Sequence, residues 1–107
     1  MVKRFDVYLV GLDPVMGSEI AKTRPCVIIS PDSMNAALRT VIVAPLSSAN
    51  KRWPSRVPSR FNGHNGEVVL DQLRAIDKSR LLTNLGAMDV ATAEAVSATL
   101  VEMFLYE

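Results

Sequence analysis

The sequence predicts an α+β domain in which about five or six short strands curl into a small β-barrel and a C-terminal amphipathic helix packs on its edge or end. Three observations carry that prediction. The length is 107 residues, with 49% hydrophobic and 21% charged, which is the composition of one folded domain spanning residues 1–107. Runs of β-branched and aromatic residues recur as far as Ile76, punctuated by Pro, Gly and Asn. Beyond Ala93 the apolar spacing lengthens to every third or fourth position, as on a helix.

Each element has its own warrant. Residues 5–12 (FDVYLVGL) place Phe5, Val7 and Leu9 on one face of a strand that Asp13-Pro14 stops. Residues 14–23 keep no apolar period and carry Gly17, Ser18 and Glu19, so they form a long loop, a feature that is often functional in compact domains. Pro25 fixes its own φ and holds Arg24 extended ahead of the strand CVIIS, which ends at Pro31. One or two helical turns over residues 32–38 follow, capped by Asp32 or Ser33. Residues 40–46 (TVIVAPL) are continuously apolar, as a central buried strand is, with Pro45 near the end where a missing donor is tolerable. After a polar loop, residues 55–61 read as an edge strand broken by Pro58. Asn62-Gly63-His64-Asn65-Gly66 reads as a turn with two Asn/Gly signals, followed by strands over residues 67–71 and 73–76. Val96, Leu100, Met103 and Phe104 then define the helix, with Asp89 as its N-cap.

Composition excludes several classes of function. The single cysteine, Cys26, cannot form an internal disulfide, and its apolar neighbours predict a buried, inert thiol. One histidine and one cysteine cannot supply the usual nitrogen and sulfur ligands, so no metal is expected, and no other cofactor motif is present. No segment approaches the roughly 20 apolar residues of a membrane span, and Asp6 interrupts any signal-peptide core, so a cytoplasmic protein without membrane association is expected. A domain this small buries only about 60–70% of its unfolded surface, which makes dimerisation plausible. The net charge of +1 hides a split: residues 1–60 carry nine Lys/Arg against four Asp/Glu, and residues 61–107 carry three against seven. Such a split can present a basic face to a polyanion.

The candidate site residues cluster at predicted strand ends, which converge in a small barrel. Glu19 and Arg24 flank the long loop, Ser47 and Ser48 end the third strand, and Asp71, Gln72 and Arg74 follow a later one. A guanidinium is always charged and offers phosphate a fork of donors, so Arg24 beside Pro25 is a candidate phosphate clamp; the alternative is a surface ion pair with Glu19 or Asp71. Lys51, Arg52, Arg56 and Arg60 surround Trp53 without an intervening acid, which combines charge for a nucleic-acid backbone with a ring for base stacking. The alternative there is a solvated loop with Trp53 folded back as a plug. His64 reads as an exposed turn residue rather than a catalytic base.

The motifs Asp6-Val7-Tyr8-Leu9-Val10, Leu12-Asp13-Pro14, Gly17-Ser18-Glu19 and Thr23-Arg24-Pro25 resemble the N-terminal signature of MazF/PemK-type toxins of bacterial toxin–antitoxin pairs. Val43-Ala44-Pro45-Leu46-Ser47-Ser48 resembles the family's third-strand motif, and the segment from Val69 to Asp77 (VLDQLRAID) its later strand pair. The resemblance covers nearly the whole chain. It implies an SH3-like barrel, a homodimer, and sequence-selective cleavage of single-stranded RNA without a metal. It also implies a cognate antitoxin whose acidic C-terminal segment covers the RNA site.

Carried over by position, Arg24 matches the family's catalytic arginine, and Ser47 a hydroxyl residue that is usually threonine. The PemK branch has a histidine after the loop glycine and an arginine two residues before the strand aspartate, where this chain has Ser18 and Val69, so that branch's acid–base roles do not transfer intact. The catalytic candidates are therefore Arg24, Ser47 and Glu19, with Glu19 or Asp71 as the proton acceptor. Ser18, Lys51, Arg52, Trp53, Arg56, Asp71 and Gln72 are the candidate RNA contacts. A CcdB-like toxin that binds DNA gyrase, or a nucleic-acid-binding barrel without catalysis, are the alternatives on the same fold.

Overall fold

The computed structural model describes residues 1–107. Seven antiparallel strands form one curled sheet: β1 (Asp6–Gly11), β2 (Thr23–Ile28), β3 (Thr40–Ser47), β4 (Arg56–Phe61), β5 (His64–Val69), β6 (Arg74–Asp77) and β7 (Leu81–Ala87). Two helices complete the chain, a short α1 (Asp32–Ala37) and the C-terminal α2 (Val90–Phe104). The strand order is β4-β5-β3-β2-β1-β7, with β6 on β3 as well, and β4 and β7 do not pair. The expected barrel is thus a half-barrel with an open seam. No helix is long and apolar enough to cross a membrane.

The continuous apolar runs of β2 and β3 make sense because both faces of the sheet are covered. Across β1, β2 and β3, Val7, Val27 and Ala44 lie in register and pack with Val57, Val68, Leu70, Met88 and Val96 of α2. The alternate residues Val10, Cys26, Ile28 and Val43 join Leu12, Val41 and Ile76 in a second core on the opposite face. Burying such side chains stabilises the fold by about 1.5–3 kcal/mol each. Burial also pushes the Cys26 thiol up to about 12, despite the nearby Arg24 and Arg74 charges, so it is the inert group expected.

β3 changes partners along its length. Thr40 to Val43 pair with β6, whereas Leu46 and Ser47 pair with β5. Pro45, which has no N–H to offer, sits at the handover.

Several elements depart from the expected boundaries. β2 starts at Thr23, so Arg24 and Pro25 lie within it, and α1 is preceded by Pro31 with no side-chain cap, because Asp32 instead accepts from the Arg4 backbone N–H at 2.7 Å. β4 is the expected edge strand but runs unbroken through Pro58, which an edge position permits. Only Asn62 and Gly63 form the turn, both with positive φ (49° and 79°), giving the two-residue hairpin that Asn-Gly favours. Asn65 and Gly66 continue β5, which ends at Val69, and Asp71 and Gln72 occupy a 3₁₀ turn (Leu70–Gln72). β7 was not signalled by its sequence, since most of its side chains are exposed and it is held by pairing to β1 across two register shifts. α2 begins as expected: the Asp89 side chain accepts from Thr92 N at 3.0 Å.

Candidate active site

Arg24 and Ser47 come together through the β2–β3 register. Cys26 pairs with Pro45, Val27 with Ala44 and Ile28 with Val43, and the same register carried two residues further sets Arg24 opposite Ser47. Both line a cleft of about 420 Å³ with Pro25, Leu46, Ser48, Ser59, Phe61, Asn62, His64, Asn65, Gly66 and Leu85. No carboxylate lines it, so Arg24 gives the cleft an uncompensated positive charge. Arg24 is half-buried and donates Nε to Ala21 O at 3.3 Å, which orients the fork while leaving its terminal nitrogens for a ligand. The alternative ion pair with Glu19 or Asp71 does not form, since the salt bridges of the chain belong to Arg56. Ser47 Oγ accepts from Ala49 N at 3.1 Å, and its own hydrogen remains available to a phosphate oxygen.

Gly66 is required by its surroundings. A Cβ there would lie 2.0 Å from Ser47 O, so only glycine lets β5 approach the end of β3 this closely. His64 shares the Gly66 face of β5 by alternation and is thereby brought to the cleft. The sequence pattern placed His64 in a turn. The clue was the pair Asn62-Gly63, a complete turn by itself, which makes the next residue the start of a strand.

Glu19 lies elsewhere. It lines a second cleft, about 670 Å³, with Asp71, Gln72 and Arg74, and its carboxylate accepts from Met16 N at 2.5 Å within its own loop. Gln72 pins that loop from the 3₁₀ turn: its Oε1 accepts from Ile20 N at 2.6 Å and its Nε2 donates to Ser18 O at 3.5 Å. Ser18 and Gln72 are therefore neighbours, and Arg74 adds a further tie by donating to Leu12 O at 3.1 Å.

The basic loop divides in two. Lys51 and Arg52 are exposed, whereas the Arg56 guanidinium is turned inward, donating to Asp71 at 2.7 Å and to Glu67 at 3.1 Å. Trp53 stacks over it at 4.5 Å, with Lys51 Nζ 5.9 Å from the same ring, and the indole is 49% exposed rather than folded into the core. Burial alone would raise the Glu67 carboxyl, but the Arg52 and Lys51 backbone N–H groups and Arg56 together hold it below the usual carboxylate range. Burial likewise opposes, and Arg56 and Ser55 prevail in lowering, the Asp71 carboxyl. The chain has no cluster of three His, Cys, Asp or Glu side chains that can hold a metal ion.

Comparison with known proteins bears on the family and the fold. Residues 3–104 match the family model described as the PemK-like, MazF-like toxin of type II toxin–antitoxin systems. The chain is 40% identical over 91 residues to the endoribonuclease MazF of Staphylococcus epidermidis, covering 79% of this chain and 76% of that protein. Its fold is similar to solved structures of lower identity. MazF from Deinococcus radiodurans superposes with a TM-score of 0.83 at 23% identity, covering 95% of this chain and 94% of that one. A mycobacterial endoribonuclease in complex with its cognate antitoxin gives 0.84 at 21% identity, covering 100% and 99%. On the extent of the family match and the identity to its curated relative, the chain belongs to the PemK-like, MazF-like toxin family of type II toxin–antitoxin systems.

Proposed function

We propose that this toxin is a sequence-selective endoribonuclease that cuts single-stranded RNA without a metal and so blocks translation and growth. The observation that carries this reading is the unpaired Arg24 guanidinium beside Ser47 in a cleft without carboxylates. The 40% identical relative named as an endoribonuclease supports it. RNA brings its own nucleophile, the 2′-OH, so the site has to hold the linkage in line, stabilise charge on the phosphoryl oxygens and move protons. In this reading Arg24 meets the developing negative charge and Ser47 donates to a non-bridging oxygen. The 2′-oxygen bonds to phosphorus as the P–O5′ bond breaks, leaving a 2′,3′-cyclic phosphate and a 5′-OH.

The exposed Lys51 and Arg52 attract the RNA backbone, and the outer face of Trp53 offers a base a stacking surface. Arg56, held by Asp71, supports Trp53 from beneath, while Gln72 and Ser18 fix the separate loop that carries Glu19. The same basic loop suits an antitoxin with an acidic C-terminal segment, a partner supported by the mycobacterial complex. Val90, Val101, Phe104 and Leu105 of the α2 region are exposed apolar groups that suit a homodimer, and RNA cleavage by such an enzyme belongs in the cytoplasm.

The test is incubation with long single-stranded RNA in excess chelator, with mapping of the cut ends. Arg24→Ala is expected to slow cleavage by about 100- to 1,000-fold, the usual cost of losing one charge-stabilising donor. A single 2′-deoxy substitution at the cut site should abolish it. Full activity of Arg24→Ala, or cleavage of the deoxy linkage, overturns the reading. A gyrase-binding toxin would leave the RNA intact.

A further inference from the structure

We propose that His64 is the general base that takes the 2′-OH proton in this cleft. The inference deepens the nuclease reading and rests on it. Attack by a neutral hydroxyl needs a proton acceptor within hydrogen-bond reach, and the acidic candidates are not where the phosphate clamp is. Glu19 lines the other cleft and is turned onto Met16 N, while Asp71 is occupied by Arg56 and Ser55.

His64 is the one side chain lining the Arg24 cleft whose type commonly serves as a general base. Two local features put it there. The two-residue Asn62-Gly63 turn fixes His64 as the first residue of β5, opposite Phe61, and Gly66 on the same face lets β5 pack directly against the Ser47 backbone, which brings the His64 end of the strand to the end of β3. The imidazole is exposed at the rim, where a nucleotide can reach it. Of the other residues lining the cleft, Arg24 of β2 is the one charged; β3 contributes Ser47 and Ser48, β4 Ser59 and Phe61, and β7 Leu85, all neutral.

The step balances without a co-reactant. Neutral His64 accepts the 2′-OH proton as the 2′-oxygen bonds to phosphorus, the P–O5′ bond breaks, and the leaving 5′-oxygen takes a proton from water. The imidazolium then returns its proton to the resulting hydroxide.

The measurement is the single-turnover cleavage rate between pH 5 and 8, on an oligoribonucleotide carrying one mapped cut site, for wild type, His64→Gln and His64→Ala. Wild type is expected to lose rate on the acidic side, as catalysis through a base requires. Both variants should cut about 100- to 10,000-fold more slowly near neutral pH, without that acidic limb, and with RNA binding retained. Added imidazole should restore part of the His64→Ala rate. Variants that cut within threefold of wild type overturn the role of His64 while the nuclease reading stands. That role is equally overturned if the acidic limb persists in the variants, or if their RNA binding falls as much as the rate. A wild-type chain that cuts no RNA removes both.

Discussion

Arg24 and Arg56 are both strand arginines of the basic half of the chain, and their surroundings could hardly differ more. Arg56 is enclosed by two carboxylates, with its side chain 7% exposed and that of Glu67 3% exposed. Arg24 has one neutral carbonyl partner and opens onto a cleft without acids. A charge matched within the protein serves the fold, because its field is cancelled where it arises. A charge left unmatched beside a cavity retains its attraction for a ligand. Sequence spacing cannot separate the two cases, since both arginines have a carboxylate as a plausible neighbour and only the packed strands decide which is met.

The contrast is broken most directly by exchanging effects. Arg24→Ala should give the largest loss of activity, the 100- to 1,000-fold slowing given above, while shifting the unfolding midpoint little. Arg56→Ala should do the reverse. Removing one member of a largely buried pair leaves Glu67 without its counter-charge, at a cost of about 3 kcal/mol in a urea titration. Equal stability losses for the two variants would erase the distinction.

Acid sharpens the same comparison. Glu67 and Asp71 are held below the usual carboxylate range in the folded chain, so their pairing stabilises it above about pH 4 and is lost as pH falls through the lowered folded values. Stability of wild type should therefore fall on acidification in that window, and Arg56→Met should flatten the curve there. Arg24→Ala should leave its shape unchanged.

Smaller effects follow from the supports around each arginine. Gly66→Ala forces a methyl group into Ser47 O, so β5 or β3 must move; a loss of about 1–3 kcal/mol in stability is expected, with slower cleavage through a displaced Ser47. Trp53→Ala should weaken RNA binding by about 1–2 kcal/mol, measured by fluorescence titration, with the cleavage rate of bound RNA nearly unchanged. A variant with unaltered affinity would leave Trp53 as a cover for Arg56 alone.

Much of the architecture was legible in the residues themselves. Continuous Val/Ile runs marked β2 and β3, Pro25 fixed the approach to Arg24, and Asp89 marked the start of α2. β7 escaped because its signal lies in β1, whose backbone groups it satisfies, rather than in any burial pattern of its own. The site was half legible for a related reason. Arg24 and Ser47 are brought together by neighbouring strands, but whether Glu19, Asp71 or His64 reaches their cleft depends on which loop folds where, which spacing does not show. Gln72, fifty-two positions away, holds Ile20 and with it the loop that carries Glu19.

The unpaired boundary between β4 and β7 bears on how a polymer reaches the cleft. Phe61 from one edge and Leu85 from the other line its mouth, and no ladder joins the two strands. Apolar side chains, and no inter-strand hydrogen bonds, lie between these two edges. In the proposed reading, a nucleotide approaches sideways along this seam, so cutting at an interior linkage of a long strand needs no free end to be threaded.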